Sequence, residues 1–141
     1  MSALPPRLNL DNPVKIKVCD APIEALNYLV AKIEALPKDR LHLFYGKPAI
    51  DRECLGRIDT FRCEFSTNWT QGGPIIDRMY AEGFEMVRGG PDSGNERVWA
   101  KLHDMADYMH GPTPLVAAMR CFVVSKLGEE IEVPDELMRK D

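Results

Sequence analysis

Apolar residues recur at intervals of three and four along three stretches of the chain, a spacing that places them on one side of an α-helix. In the clearest stretch, residues 113–128, the apolar positions are Leu115, Val116, Met119, Phe122, Val123 and Leu127. Thr113 is a favoured helix cap, Pro114 suits the first helical position, and Gly128 is a typical stop. The sequence therefore predicts a helix that begins after Thr113 and ends before Gly128.

Two further helices are predicted upstream. One ends at Pro37, has Asp20 available as a cap, and carries the stripe Ile23, Leu26, Leu29, Val30 and Ile33. The other follows the polar, glycine-rich segment 66–74, and its apolar side is formed by Ile75, Ile76, Met79 and Tyr80. The pattern predicts that Pro74 occupies the first position of this helix and that Gly83 ends it.

Strands are predicted where apolar and polar residues alternate, namely at residues 14–18, 41–45, 58–65, 84–88 and 97–103. The last two flank a turn-rich segment, 89–96, and predict a hairpin. In 58–65 we expect Phe61, Cys63 and Phe65 to face inward, with Arg62 and Glu64 outward. We expect loops or short turns at 46–57 and 104–111, and the acidic residues of 129–136 to form a solubilising terminus or a partner-binding tail.

The order of these elements predicts an α+β domain. Three amphipathic helices must each bury a stripe, and a mostly antiparallel sheet offers two faces, which favours a layered α/β/α sandwich. We expect residues 1–13 to be a flexible leader, 14–137 to form the single domain, and 138–141 to be a tail.

Composition and charge exclude some classes of function. The chain has 141 residues, 18 Lys and Arg against 22 Asp and Glu, and a net charge of −4, which argues against general DNA binding. No apolar run reaches the roughly 18 residues of a membrane span. The four cysteines form no C-x-x-C pair and fit free thiols in a reducing cytoplasm.

The segment Asn68-Trp69-Thr70-Gln71-Gly72-Gly73-Pro74 is the first candidate binding site. Glycines before a helix start leave N–H groups open for an anion, and Trp69 offers a ring for a base. Asn68 and Gln71 offer amide groups, and Arg78 adds charge one turn later. The alternative is that Gly72 and Gly73 only form a tight helix start and that Trp69 is a core anchor.

Two other groups of residues are candidates. At the last helix, Thr113 either caps the helix or contacts a ligand, and Arg120 either covers apolar surface or faces an anion. On the hairpin, one predicted strand face is basic and aromatic, with Arg97, Trp99, Lys101 and His103, and with Arg88 on the partner strand. Such a face suits a stacked base and its phosphate, although it is also typical of a solvated outer face.

No spacing of Cys or His indicates a metal site, and no cofactor is predicted. No nucleophile or paired-carboxylate motif supports catalysis. If the protein were an enzyme, its candidate bases would be His42, His103 and His110.

Two sequence blocks resemble the NinX-like family of small phage and prophage proteins: residues 68–76, and residues 111–128 together with Val133-Pro134 and Glu136-Leu137. Residues 14–36 are also similar to the opening of that family. The resemblance implies a phage or prophage origin, the host cytoplasm as location, and an α/β/α sandwich. It implies no catalytic residue. Segments 38–58 and 89–96 depart from the shorter family members.

These observations favour a non-enzymatic phage accessory protein that binds a small anionic, nucleotide-like ligand and forms a homo-oligomer. By analogy with other small phage proteins, its role would be to sequester a host antiviral signalling nucleotide. One alternative is a partner module acting on a host or phage defence or recombination protein. A second alternative is a phosphodiesterase-like enzyme.

Overall fold

The computed structural model describes residues 13–88, 98–105 and 107–138. Most of the predicted leader, the hairpin tip 89–96, Arg97 and the last three residues of the predicted tail lie outside these ranges, and Arg88 is described only by its backbone. Within these ranges no helix is both long and apolar enough to cross a membrane.

In the part of the chain that the structure describes, three α-helices form, in chain order α1 (Ile23–Glu34), α2 (Trp69–Ala81) and α3 (Pro114–Leu127). The predicted boundaries of α3 are confirmed: the Thr113 hydroxyl accepts a hydrogen bond from the Val116 N–H at 3.1 Å, and Gly128 ends the helix at a φ of +90°. Asp20 does not cap α1, because it lies in a short 3₁₀ turn and Pro22 holds the capping position.

Helix α3 is the centre of the hydrophobic core. It buries residues well beyond the predicted stripe, including Ala117, Ala118 and Cys121, while the predicted stripe residue Leu127 is exposed at its end. It packs against α1, α2 and two strands. A helix that is apolar on all sides is one that neighbours cover on all sides, so α3 is a core helix and not a surface amphipathic helix.

Helix α2 begins earlier than the sequence predicted. Asn68 is its cap, with the side-chain oxygen accepting from the Thr70 N–H at 2.9 Å. Gly72, Gly73 and Pro74 therefore lie inside the helix, and the prediction of Pro74 at the first helical position is wrong. The end of the helix is as predicted, since the chain leaves it through Gly83 at a φ of +86°.

Within the described residues, eight strands form three small antiparallel sheets. In chain order they are β1 (Pro13–Lys17), β2 (Arg40–Phe44), β3 (Lys47–Cys54), β4 (Arg57–Arg62), β5 (Glu85–Arg88), β6 (Val98–Lys101), β7 (Met109–Gly111) and β8 (Glu130–Pro134). The α+β class, three helices and antiparallel pairing are confirmed. The strands are divided among three sheets, whereas the sequence predicted one.

The first sheet pairs β1 with β8, so the acidic segment after α3 is part of the fold and not a free tail. Lys15 is opposite Glu132, Lys17 is opposite Glu130, and the other side of β8 buries Ile131 and Val133. The acidic residues face a basic strand, which a count of charges in the sequence does not reveal.

The second sheet has the order β2-β3-β4 and contains a strand that the sequence analysis missed. Segment 46–57 was expected to be a loop, but its larger part is β3, which buries Pro48, Ala49 and Ile50. The predicted inward residues of 58–65 are confirmed: Cys63 and Phe65 are buried and Phe61 packs on the core.

The third sheet has the order β5-β6-β7. The predicted hairpin pairing of β5 with β6 is confirmed, and the inward side of β6 buries Val98 and Ala100. The expected loop at 104–111 contains β7, which adds a third strand beside β6 and leads through Gly111 to α3.

Candidate functional site

The outer face of the third sheet collects aromatic and charged side chains in two rows. Opposite positions in neighbouring strands point to the same face, so the register places Val87, Trp99 and His110 in one row. Glu85 and Lys101 form the next row. The pleat turns Ala100 and its cross-strand partners, Met86 and Met109, in the opposite direction, toward the core and α3.

Trp99 and His110 form the centre of this face. Their ring centroids are 5.0 Å apart and the planes are tilted by 56°. Trp99 remains 38% exposed, while His110 is half-buried. The Arg120 guanidinium on α3 donates to the His110 carbonyl oxygen at 2.8 Å, which ties β7 to the core helix.

The second row is held by Tyr108, directly before β7. Its hydroxyl donates to the Glu85 carboxylate at 2.6 Å, and the Lys101 ammonium lies 5.6 Å from its ring centroid. The hydrogen bond to Glu85 raises the pKa of Tyr108 above its ordinary value, because the neutral phenol is the form that donates to the carboxylate. Cross-strand contacts thus fix the positions of both aromatic rows.

A cavity of about 240 Å³ adjoins the aromatic face. It is lined by Tyr108 and His110 and by residues at or next to one end of the first sheet, among them Lys17, Cys19 and Glu129. The space can hold one ring system, and its wall combines one cation, Lys17, with carboxylates and aromatic groups. We call the aromatic face and this cavity together the Trp99 face.

The structure brings together only some of the predicted site residues. Trp99 lies on the Trp99 face, and Arg120 reaches its edge through the His110 carbonyl. Arg97 and the Arg88 side chain lie outside the described residues. Trp69 lies on a different element, at the start of α2, and is 56% exposed.

The polar groups around the start of α2 are engaged inside the protein. The Gln71 amide donates to the Arg62 carbonyl and accepts from the Glu64 N–H, both at 2.7 Å. Arg78 forms an ion pair with Glu34. The Gly72 N–H donates to the Asn68 carbonyl oxygen at 2.9 Å, so it is not an open anion donor as the sequence suggested.

The two glycines of this segment have different environments. A Cβ built on Gly72 would lie 2.5 Å from both the Leu115 side chain and the Phe65 carbonyl oxygen, whereas one built on Gly73 would meet nothing within 4 Å. Gly72 is therefore explained by close packing of α2 against α3. Thr113 is engaged as the cap of α3.

The three histidines lie on different parts of the fold. His42 on β2 is buried and donates to Asp51 at 2.9 Å, and Thr60 donates to the same oxygen at 2.6 Å. Burial would raise the pKa of Asp51, but these hydrogen bonds and nearby positive charge outweigh burial and hold it below its ordinary value. His103 is exposed after β6, and His110 lies on the Trp99 face.

Two of the cysteines are buried and unreactive, and the described residues offer no metal site. All four cysteines are free thiols, and burial raises the pKa of Cys63 and Cys121 to about 12, which keeps both thiols protonated and unreactive. Across the described part of the chain, no group of three or more His, Cys, Asp or Glu side chains is arranged to hold a metal ion.

Sequence reasoning missed Tyr108 as a site residue and considered His110 only as a catalytic base. Both were hidden by the expectation of a loop at 104–111. The available signal was weak, since β7 has only three residues and too short an alternation to predict a strand.

Comparison with protein families identifies the chain. A family model described as Bacteriophage P22, NinX matches residues 17–126, more than three quarters of the chain. The match spans block 68–76 and nearly all of block 111–128, on which the resemblance rested. No curated protein matches the chain. The match runs from the end of β1 to the last turn of α3, and over that length the chain belongs to the NinX family of phage proteins.

Proposed function

We propose that this phage protein is a non-enzymatic accessory factor that binds a small anionic, nucleotide-like ligand on the Trp99 face. The observation that carries the proposal is a partly exposed tryptophan, fixed against His110, beside a ring-sized cavity. Ligand sites combine an apolar or aromatic surface with a few positioned polar groups, and this face has both.

Each part of the face has a role in this proposal. The base of the ligand stacks on the exposed part of the Trp99 ring, an interaction worth about 1–3 kcal/mol per base. Lys101, whose ammonium lies against the Tyr108 ring, and Lys17, which lines the cavity, supply positive charge for the phosphate.

The chemistry of the ligand follows from the mixture of groups on the face. Glu85, Asp107 and Glu129 are also there, so a dense polyphosphate is disfavoured. A ligand with one or two phosphate charges and an exposed base fits better. In the host cytoplasm, such a molecule would be a cyclic-nucleotide or ADP-ribose-type signal that the phage protein sequesters.

Tryptophan fluorescence tests the proposal directly, because the chain has two tryptophans, Trp69 and Trp99. Trp69→Phe leaves Trp99 as the single reporter on the face. We expect cyclic dinucleotides, cyclic trinucleotides or ADP-ribose to quench this variant in a saturable manner. Calorimetric titration of the unaltered chain supplies the Kd.

Matched variants separate stacking from general effects. Trp99→Ala should weaken binding by at least about tenfold, since it removes one stacked base contact. Trp69→Ala removes an exposed tryptophan on a different element, α2, and should leave the Kd unchanged. No heat or quenching with any ligand at high micromolar concentration, or equal losses in both variants, would contradict the proposal.

A further inference from the structure

In each of two tight turns of the second sheet, a large side chain is exposed to solvent on a residue with positive φ. Tyr45-Gly46 joins β2 to β3, and Leu55-Gly56 joins β3 to β4, and all four residues have φ between +52° and +77°. Such turns favour Asn or Asp before Gly, because other side chains are strained at positive φ. Leu55 is nevertheless 97% exposed and Tyr45 is 85% exposed.

The two turns differ in how the protein supports the exposed residue. The Tyr45 ring packs edge-on against Phe44 at 4.6 Å, and its hydroxyl suits water. Both residues border open cavities, of about 470 Å³ at Tyr45 and about 580 Å³ at Leu55, but the Leu55 side chain has no polar group and no aromatic partner among the described residues. Strained backbone conformations cluster at functional sites, and Leu55 together with the exposed Leu36 forms an apolar patch at this cavity, which is typical of an interaction surface.

Contacts within the chain hold the walls of the cavity beside Leu55 in place. Leu36, itself exposed, lines it together with Pro37 and Leu55. Arg52 also lines it, donating three hydrogen bonds of 2.6–3.2 Å to Asp39, whose side chain is 3% exposed. These hydrogen bonds hold the pKa of Asp39 below its ordinary value although burial opposes them, so the pair stays charged and fixed at neutral pH.

We propose that a second copy of this chain occupies the cavity, with Leu55 of each copy inserted beside Leu36 and Pro37 of the other. The projecting residue and the cavity belong to the same patch. A two-fold axis through that patch therefore satisfies both copies at once and closes the assembly as a dimer. If projection and cavity lay on opposite sides of the molecule, the same contact would build an open filament.

Charge complementarity supports a second copy as the occupant. Lys38 and Glu53 both line the cavity, and neither forms an ion pair within the residues described. Across a two-fold axis, Lys38 of one copy faces Glu53 of the other, and the pair occurs twice. The assembly rests on the second sheet and is independent of ligand binding at the Trp99 face.

Sedimentation equilibrium over a micromolar concentration series tests this dimer. The unaltered chain should show a monomer–dimer equilibrium. Leu55→Asn should raise the dimer Kd by at least about thirtyfold, as expected for loss of a central anchor residue. Because asparagine tolerates positive φ, this variant should unfold at the same temperature as the unaltered monomer or a higher one, which separates dissociation from misfolding.

Matched variants define the interface. Tyr45→Asn makes the same change in the other turn and should leave the dimer Kd unchanged. Lys38→Glu and Glu53→Lys should each weaken the dimer, and the double exchange should restore it. A chain that is monomeric at all concentrations, a dimer insensitive to Leu55→Asn, or equal loss with Tyr45→Asn would overturn the proposal. A monomer would leave the patch to a different protein partner.

Discussion

The starts of α2 and α3 look alike in sequence and differ in structure. Each has a polar capping residue followed by proline, but Pro114 comes directly after the Thr113 cap, whereas Pro74 is the sixth residue of α2 after the Asn68 cap. The first turn of a helix has free N–H groups, so proline costs nothing at its first position. The comparison teaches that the cap marks a helix start more reliably than the proline does.

The difference also changes where a ligand is expected. An N–H group can bind an anion only if it lies in the first turn and is not already bonded. In α2 the N–H groups of Thr70, Gln71 and Gly72 all bond to Asn68. The segment that looked like an open anion site in sequence is therefore a closed helix start, and the Trp99 face becomes the better candidate.

The largest expected effect distinguishes the two glycines inside α2. Gly72→Ala should destabilise the protein by about 3 kcal/mol, because its Cβ would meet the Phe65 carbonyl oxygen, a backbone atom that cannot move aside. Gly73→Ala should stabilise it by about 0.5–1 kcal/mol, because alanine favours a helix and the space is open. Urea unfolding followed by circular dichroism measures both.

Similar values for the two glycine variants would show that α2 does not pack closely on α3 at this point. Gly111→Ala offers an independent check at the end of β7, just before α3. A Cβ at this position would lie 2.8 Å from the Ala117 backbone nitrogen. This variant should also lose stability.

The second prediction concerns the prolines. Pro74→Ala should stabilise the protein by about 2 kcal/mol, because it supplies an N–H for the Thr70 carbonyl oxygen; greater freedom of the unfolded chain offsets part of the gain. Pro114→Ala should change stability by less than about 0.5 kcal/mol. Thermal unfolding measures both, and a loss of stability in Pro74→Ala would show that the fold requires the proline geometry.

The third prediction compares the caps. Asn68→Ala and Thr113→Ala should each cost about 1 kcal/mol, since each leaves one N–H group of the first turn without its side-chain acceptor. Asn68→Asp and Thr113→Ser should retain most of the stability in the same urea titration. A neutral Asn68→Ala would mean that the α2 start frays in solution.

Local signals predicted the elements whose determinants lie within one short segment. The start and end of α3 follow from Thr113, Pro114 and Gly128, and the β5–β6 hairpin follows from two alternating segments around a turn-rich tip. Strand β3 was missed because both its turns place Tyr or Leu where Asn is usual. Strand β8 was missed because its acidic positions are balanced by lysines more than a hundred residues away.

The candidate site was predictable only in part, because some of its residues come from elements that are separate in the sequence. Alternation in 97–103 placed Trp99 and Lys101 on one outer face, as the structure has them. The partners that hold this face, Tyr108 and His110, come from β7, and the contact from Arg120 comes from α3. Contacts among separate elements depend on tertiary packing, which periodicity along one element does not encode.

The smallest expected effect tests how the start of α2 is attached to the second sheet. Gln71 bonds the Arg62 carbonyl oxygen and the Glu64 N–H, a link without an equivalent among the described contacts at the start of α3. Gln71→Ala should cost only about 0.5 kcal/mol, because water can replace both bonds at this partly exposed position. Thr70→Ala, an exposed neighbour, should have no measurable cost. Hydrogen exchange should locate the change in Gln71→Ala at residues 62–68, and increased exchange throughout α2 would instead show that this link holds the whole helix.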